Sequence, residues 1–421
     1  MEAGRLDLVL LAGAGVLLVA VAGVRLSSRL GVPSLLLYLG IGMLLGEDVI
    51  GLVFDDAELA RNVGLVALAL ILAEGGLTTR WPDIRPIMPA AASLATVGVG
   101  LSIATTCLAA HYVMDVDWRT AGLVGAMLSS TDAAAVFSTL RMLRLPRRLV
   151  GVLEAESGLN DAPAVIVVTL LAARHPEGFG HAAATLGYEL AVGAAIGLAL
   201  GAGATEALRR AALPAAGLYP IATIAFAIGS YAAAASAHAS GFLAVYLTTL
   251  WLGNAQLPHR RSTVGFAEGV AWLAQIGLFV MLGLLVTPSR LGSAILPALG
   301  VGAALLFVAR PLSVVVSALP FRFSWRENLF LSAAGLRGAV PIVLTTIPLT
   351  LGSPGAHRIF DVVFVLVVMF TLLQAPLLAP LARRLDLETG DDGHDLDVDA
   401  APLDEMVADL LTIRVPATSR L

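Results

Sequence analysis

The chain has 421 residues, of which 58% are hydrophobic and only 14% charged, with a formal net charge of −5 and a mean hydropathy of +0.87. So much apolar surface cannot be hidden in a soluble core of ordinary proportions, which excludes a soluble globular protein and predicts a polytopic membrane protein. The single cysteine, Cys107, excludes an intramolecular disulfide and a cysteine metal cluster.

Apolar windows of membrane-spanning length recur through residues 1–383. A hydrocarbon crossing needs about 20 apolar residues, or roughly 17 to 25 with tilt, so we expect about thirteen helical spans. The first lacks the cleavage site of a secretory signal and is expected to remain as helix 1. In chain order the predicted spans are 6–24, 32–53, 61–79, 88–112, 118–140, 149–172, 182–206, 217–236, 239–257, 266–287, 292–319, 326–350 and 358–382.

Loop charge predicts the orientation of these spans. All 26 basic residues are arginines, and most lie in alternate loops, which are predicted to be cytoplasmic. The remaining loops carry scattered arginines beside acids such as Asp48, Asp55 and Asp56. We therefore expect an outside N-terminus and a cytoplasmic C-terminus, in agreement with an odd number of spans. The arginine-rich loops contain Arg25, Arg29, Arg80, Arg85, Arg141, Arg144, Arg147, Arg148, Arg209, Arg210, Arg260, Arg261, Arg322, Arg326, Arg383 and Arg384.

The composition changes abruptly after Arg384. The acidic, aromatic-free run LDLETGDDGHDLDVDAAPLDE predicts a solvated linker. The last stretch, LLTIRVPATSRL, is apolar and β-branched, like the first strand of a further domain. We predict a membrane domain at 1–383 and an acidic cytoplasmic tail at 384–421, leading into a regulatory domain that is missing or truncated.

The sixth predicted span carries a polar cluster, ESGLND, in an otherwise apolar stretch. At about 100° of rotation per residue, Ser157, Asn160 and Asp161 share an arc of roughly 100°, whereas Glu156 lies roughly 140° round from Asp161. A membrane-embedded carboxylate flanked by oxygen ligands is a candidate ion site. One of these two acids can therefore be a ligand while the other is an ion-pair partner.

Two other spans are interrupted where a helix should be continuous. The polar run SSTD, residues 129–132, lies near the middle of the fifth span, and AAGLRGAVP interrupts the twelfth at similar depth. Discontinuous helices in corresponding places of two halves predict a transporter site at the bilayer midplane. Unpaired, the buried charges would cost on the order of 15 to 20 kcal/mol, so they must pair, line a wet cavity or bind ions. These charges are Glu74, Asp132, Glu156, Asp161, Arg310 and Arg337.

Four motifs in this order resemble the bacterial NhaP-type sodium or potassium/proton antiporters, relatives of the animal sodium/proton exchangers. They are SSTDAAAVFS in span 5, ESGLND in span 6, Arg310-Pro311 in span 11 and GLRGAVP in span 12. The resemblance covers residues 1 to about 383 and is fullest to the potassium/proton branch. It implies an all-α fold of thirteen helices with inverted repeats and two discontinuous crossing helices. Spans 4–6 and 11–13 would form a mobile core, and spans 1–3 and 7–10 a dimerising scaffold.

The resemblance also implies a cation site built around one carboxylate. Asp161 would hold either the cation or a proton, and Ser157 and Asn160 would help to hold the cation. Thr131, through its carbonyl, and Asp132 would complete the site from the broken helix. Asp132 has an alternative interpretation as a helix cap.

The remaining charges are assigned structural or gating roles by the same resemblance. Glu74, in the run LAEGGL, resembles a scaffold acid at the cytoplasmic funnel, with a scaffold hydrogen bond as the alternative. Glu156 would pair with Arg310, or alternatively with Arg337. Arg337 would balance the carbonyls exposed by the break in span 12.

The function implied is one-for-one, electroneutral exchange of a monovalent cation for H⁺ by a homodimer in the bacterial cytoplasmic membrane. K⁺ is favoured and Na⁺ is possible, and neither a cofactor nor a nucleic acid is expected. A cation channel would need a continuous polar pore or filter ring, which isolated acids and interrupted helices do not predict. An intramembrane enzyme is less favoured, since the sequence has no HExxH, no GxSxG with partners and no cysteine nucleophile constellation.

Overall fold

The computed structural model describes residues 3–30, 33–132, 145–173 and 178–387, and these residues are almost entirely helical. Apart from an isolated bridge between Gly46 and Leu52, they contain no β-pairing. A one-turn helix at Trp81–Ile84 lies between α3 and α4. The numbered helices are α1 (Ala3–Leu30), α2 (Ser34–Leu45), α3 (Ala57–Thr78), α4 (Met88–Met114), α5 (Trp118–Met127), α6 (Arg147–Ala172), α7 (Phe179–Arg210), α8 (Leu218–Ser236), α9 (Gly241–Asn254), α10 (Arg260–Leu284), α11 (Pro288–Phe321), α12 (Trp325–Ala333), α13 (Ala339–Thr350) and α14 (Ala356–Arg384).

Each predicted span overlaps one of these helices, except that span 12 overlaps both α12 and α13. Within the described part of the chain, eight helices are long and apolar enough to cross a membrane, namely α3, α4, α6, α7, α8, α10, α11 and α14. Helix α2 ends at Leu45, earlier than predicted, because the charged pair Glu47 and Asp48 follows in a turn. The chain is thus a multi-pass helical membrane protein, and the total of thirteen crossings stays a prediction.

The two halves of the membrane domain repeat the same irregularities. Helix α4 contains a π-helical turn at Leu94–Gly98, and α11 contains one at Leu305–Ala309. The helix that follows α4 stops at Met127, and the helix that follows α11 stops at Ala333. π-turns and broken helices are frequent at functional sites. Their paired positions therefore indicate a functional site at spans 5 and 12. The expected all-α fold with paired interruptions is confirmed. The predicted remainder of span 5, at 133–144, lies outside the described residues.

Helix α6 occupies the centre of this arrangement. It packs against α4, α5, α7, α9 and α13. The whole ESGLND segment is buried except for Leu159, which is half-buried. Four polar side chains of α6 therefore face protein, not lipid, and each must find a partner inside the fold.

A capping network joins the start of α5 to the end of α6. The Asp117 carboxylate caps α5 by accepting from the backbone N–H groups of Arg119 and Thr120, at 3.0 and 3.1 Å. The hydroxyl of Thr120 donates to it at 2.6 Å, and these hydrogen bonds hold the pKa of Asp117 below its usual value. Arg119 Nε then donates to the carbonyl of Leu171 at 2.7 Å, which holds the last turn of α6.

Glycines bring α3 and α9 into backbone contact. A Cβ on Gly76 would collide with Thr249 and the Tyr246 carbonyl, and a Cβ on Gly253 would collide with the backbone of Leu77. Small residues allow this close approach between membrane helices. This glycine-mediated contact fixes α3, which carries Glu74, against α9.

Candidate functional site

The two interrupted spans meet at their breaks. Helix α5 ends at Met127, and the chain up to Asp132 is not helical; α12 and α13 are separated by residues 334–338. The backbone N–H of Asp132 donates to the carbonyl of Leu336 at 3.0 Å, so the two non-helical segments cross in contact. Each segment therefore satisfies part of the backbone that the other break exposes.

Asp132 caps the second half of the opposite broken helix. Its Oδ2 accepts from the backbone N–H of Ala339, the first residue of α13, at 2.7 Å. Gly338 is required there, because a Cβ at that position would overlap the Asp132 carboxylate. The capping role considered for Asp132 is thus present in the structure. Cation coordination by Asp132 stays a prediction.

Arg337 lies at the crossing and binds carbonyl groups of both breaks. Its Nε donates to the Leu128 carbonyl at 3.0 Å, and its Nη1 donates to the Gly335 carbonyl at 2.5 Å. The side chain is among the largest fully buried ones in the described residues. Its charge is therefore placed against the carbonyl ends exposed where α5 and α12 stop.

Asp161 faces the first break from α6. The hydroxyl of Ser130 donates to Asp161 Oδ1 at 2.5 Å, and both residues are buried. The Asp132 carboxylate is also close enough to act on Asp161 electrostatically. Sequence reasoning did not assign Ser130, although it lies in the same SSTD run as Thr131 and Asp132. The spacing alone did not show which of the two serines would face α6.

Ser157 and Asn160 both bind Thr131. The Thr131 hydroxyl lies 2.9 Å from Ser157 Oγ and accepts from Asn160 Nδ2 at 2.7 Å. The structure therefore links Thr131 to α6 through its hydroxyl, whereas the predicted ligand was its carbonyl. Asn160 Oδ1 is buried and accepts no hydrogen bond from the described residues. A buried amide oxygen without a donor beside a carboxylate suits a hard monovalent cation.

Glu156 faces away from this cluster and forms a two-point ion pair. Arg310 Nη1 donates to Glu156 Oε1 at 2.5 Å, and Arg310 Nη2 donates to Oε2 at 2.9 Å. Arg310 Nη2 also reaches the Leu331 carbonyl at 3.3 Å. In this geometry Glu156 pairs with Arg310, and Arg337 is engaged by carbonyls instead. The pair ties α6 to α11 and α12.

Glu74 lies one turn before the end of α3 and is half-buried. Its backbone carbonyl accepts from the Thr78 hydroxyl at 3.0 Å. Helix α3 packs against α9 and α10 of the predicted scaffold and also against α13 of the predicted core. The role of Glu74 at a funnel stays a prediction.

Two crossing, interrupted helices beside a buried carboxylate define a secondary transporter of the inverted-repeat class. Residues 16–384 match the family model described as the transmembrane sodium/hydrogen exchanger. The chain belongs to the sodium/hydrogen exchanger family and is a multi-pass antiporter of a monovalent cation and protons. This match favours neither the channel nor the enzyme alternative.

Individual relatives agree with the family match. The chain is 40% identical over 395 residues to the K(+)/H(+) antiporter NhaP of Alkalimonas amylolytica, covering 92% of this chain and 68% of the relative. It is 40% identical over 394 residues to the K(+)/H(+) antiporter NhaP2 of Shewanella sp. (strain ANA-3), covering 92% and 69% of the two chains. It is 26% identical over 363 residues to the Na(+)/H(+) antiporter NhaS2 of Synechocystis, covering 80% and 66%.

A solved structure has the same fold. The sodium proton antiporter MjNhaP1 from Methanocaldococcus jannaschii superposes with a TM-score of 0.75 at 20% sequence identity, over 90% of this chain and 99% of that one. At this identity the likeness concerns the fold alone.

Proposed function

We propose that the protein exchanges K⁺ for H⁺, one for one, at Asp161. The observation that carries this proposal is the buried cluster in which Ser130 binds Asp161 while Thr131 binds Ser157 and Asn160. The choice of K⁺ is supported by the two relatives at 40% identity, which are named K(+)/H(+) antiporters. Na⁺ remains the alternative, because the same oxygen ligands can hold either ion and selectivity depends on cavity size and rigidity.

The cation ligands in this proposal are hard oxygens on two elements. Asp161 supplies the charge, and the unpartnered Oδ1 of Asn160 supplies a neutral oxygen. The hydroxyl of Ser157, the carbonyl of Thr131 and the carboxylate of Asp132 complete the proposed set.

Coupling follows from the cost of an empty carboxylate. Asp161 is buried, and a bare carboxylate carried through a low-dielectric barrier costs several kcal/mol. The crossing step therefore requires either a bound proton or a bound cation. Asn160 adds no charge, and the arginines do not release protons, so one proton exchanges for one monovalent cation.

Alternating access is proposed to occur by movement of a core, spans 4–6 and 11–13, against the scaffold. The Glu156–Arg310 ion pair would keep α6 and α11 together during this movement, and Arg337 would hold the two breaks together. Glu74 would face the site from the scaffold at the cytoplasmic funnel. The scaffold would also form the interface of a homodimer.

The proposed location is the bacterial cytoplasmic membrane, with the N-terminus outside and the C-terminus in the cytoplasm, as the arginine distribution predicts. The membrane domain would comprise residues 1–383. The tail at 384–421, whose residues from 388 onward lie outside the described part of the chain, would lead into a cytoplasmic regulatory domain. Transport itself would need no cofactor.

The test is cation-driven proton flux in proteoliposomes, with K⁺, Na⁺ and Li⁺ compared across pH. Asp161→Asn is expected to abolish flux with every cation, and the exposed Asp55→Asn serves as the matched acid-to-amide control. Exchange by Asp161→Asn at the wild-type rate would contradict the site. Flux with Na⁺ but not K⁺ would contradict the ion assignment. A transport current that reverses with membrane voltage would contradict one-for-one exchange.

A further inference from the structure

A polar pocket lies outside the antiport machinery, between the start of α11 and the start of α14. Its volume is about 450 Å³, within the roughly 300–1,000 Å³ typical of small-ligand sites. None of the side chains that line it belongs to the cation site proposed above. Its polar lining consists of Ser289, Arg290, Ser293, His357, Arg358 and Asp361.

Two arginines give the pocket the chemistry of a phosphate site. A guanidinium presents several donors in one plane, which suits phosphate oxygens. Arg358 uses Nη2 to donate to the Met114 carbonyl at 2.9 Å, which fixes its head at the pocket. The Arg290 side chain is half-exposed and lies opposite Asp361. Ser289 and Ser293 also line the pocket, and the Ser293 hydroxyl donates to the Arg290 carbonyl at 3.0 Å.

Asp361 gives the same pocket a group of the opposite sign. Its side chain is only 9% exposed, and the Nη2 of Arg290 stands 3.9 Å from its Oδ1, too far for a hydrogen bond. That oxygen has no hydrogen-bond partner among the described residues. A buried carboxylate oxygen without a donor is costly, so a ligand that brings an N–H group is favoured. Arginines and a carboxylate in one pocket together match a zwitterion.

Neighbouring side chains place the pocket at the depth of lipid headgroups. Arg358 binds the last residue of α4, and the nearby aromatic residues Tyr112 and Trp118 are 72% and 55% exposed. Exposed aromatics of this kind mark the membrane–water interface. Directly after the pocket, α11 exposes Leu296 and Leu299 to the surroundings, as an acyl chain would require.

We propose that this pocket binds the headgroup of a zwitterionic phospholipid that carries a primary ammonium. Arg290 and Arg358 bind the phosphate, and the Asp361 carboxylate accepts from the ammonium. The bound lipid joins the end of α4 to the starts of α11 and α14. This site is independent of the proposed role of Asp161.

The test is native mass spectrometry of the purified full chain, titrated with phosphatidylethanolamine, phosphatidylcholine and phosphatidylglycerol of identical acyl chains. We expect phosphatidylethanolamine to bind about tenfold more tightly than phosphatidylcholine, whose quaternary ammonium has no N–H to donate. Asp361→Asn should remove this preference. Arg290→Gln combined with Arg358→Gln should weaken all three lipids by about tenfold or more. The exposed Arg85→Gln is the matched control and should change nothing.

The wild-type titration tests the proposal even where a variant fails to fold. Equal binding of phosphatidylethanolamine and phosphatidylcholine, or preferential binding of phosphatidylglycerol, would overturn it. Displacement of the lipid by an equal concentration of inorganic phosphate would show an anion site and not a lipid site. Asp361→Glu keeps the charge and should keep the preference, so its loss in that variant would also count against the proposal.

Discussion

Hydroxyl groups connect the buried polar cluster around Asp161, the carboxylate that we propose is shared between a proton and a cation. The Ser130 hydroxyl donates to the Asp161 carboxylate. The Thr131 hydroxyl is hydrogen-bonded to the Ser157 hydroxyl and accepts from the side-chain N–H of Asn160. The acceptor end of Asn160 is left without a donor. A hydrogen bond to an ionised carboxylate stabilises the charged form against protonation. Ser130 is therefore expected to set the pH range of transport.

Ser130→Ala should move the pH of half-maximal transport upward by about one unit. Without the donor, protonated Asp161 gains relative to the ionised form, so the cation competes only at higher pH. A hydrogen bond to a charged group is worth about 1.5 to 3 kcal/mol, and one pH unit corresponds to about 1.4 kcal/mol. The measurement is cation-driven proton flux between pH 5 and 9.

The matched control is Ser129→Ala in the same run. Ser129 Oγ donates to the Ala126 carbonyl at 2.7 Å and makes no bond to Asp161, so its pH profile should match the wild type. A profile of Ser130→Ala that is unchanged, or displaced to lower pH, would show that this hydrogen bond does not control protonation.

Glu156→Gln should destabilise the protein by about 3 to 5 kcal/mol, because it leaves Arg310 charged and buried without its partner. Adding Arg310→Met should recover much of this loss, since the unpaired charge is then removed. Thermal unfolding in detergent measures both effects. Glu206→Gln is the control: its ion pair with Arg210 is exposed and should contribute at most about 1 kcal/mol. Equal losses for the two single variants would argue against a buried pair.

At the scale of elements, the two interrupted helices complete one another. Asp132 caps α13 across the crossing, its N–H binds Leu336, and Arg337 binds carbonyls on both sides. A break in a membrane helix exposes backbone groups that lipid cannot satisfy. The crossing supplies these partners, which explains why both interruptions occur at the same place.

Gly338→Ala should separate the two breaks and abolish most transport. The added Cβ would overlap the Asp132 carboxylate, so the bond to the Ala339 N–H must lengthen or break. We also expect a loss of stability of about 1 to 3 kcal/mol from overpacking. Flux and thermal unfolding are measured together. Gly100→Ala, where a Cβ would meet nothing within 4 Å, is the control, and equal behaviour of the two variants would disprove the steric argument.

At the scale of the whole molecule, α6 is one of the helices through which the proposed core contacts the proposed scaffold. It carries Asp161 on one side and packs against α9 on another. Gly158 of α6 lies directly on the ring of Tyr246 in α9, and this side chain is buried. A smooth surface at this contact would let α6 slide past α9 during transport.

Gly158→Ala should therefore lower the transport rate several-fold. Its Cβ would lie 2.6 Å from Cε2 and 2.7 Å from Cζ of Tyr246, closer than van der Waals contact allows. Initial rates at saturating cation separate slowed movement from weakened binding. Gly277→Ala in α10, with nothing within 4 Å of its Cβ, should transport normally. A wild-type rate for Gly158→Ala would exclude sliding at this contact.

Local patterns in the sequence were sufficient for the multi-pass helical character of the chain, for the two interruptions and for the face shared by Ser157, Asn160 and Asp161. Span length follows from bilayer thickness, and the helical repeat places side chains three and four residues apart on one side. Span length and side-chain direction both depend on residues that are close together along the sequence. The helical repeat also placed Glu156 on a different side of the helix from Asp161.

Only the tertiary structure decided which partner each polar group has. Four such contacts join residues that are far apart in sequence. Ser130, and not Ser129, binds Asp161, and the Thr131 hydroxyl binds Asn160. Arg310 binds Glu156, and Asp132 caps the N-terminus of α13. A hydrogen bond depends on distances of about 3 Å between elements, and the sequence pattern constrains only the direction in which each element faces. The face that Asp161 shares with Ser157 and Asn160 was therefore readable from one helix, while the surroundings of Asp161 required the crossing of two others.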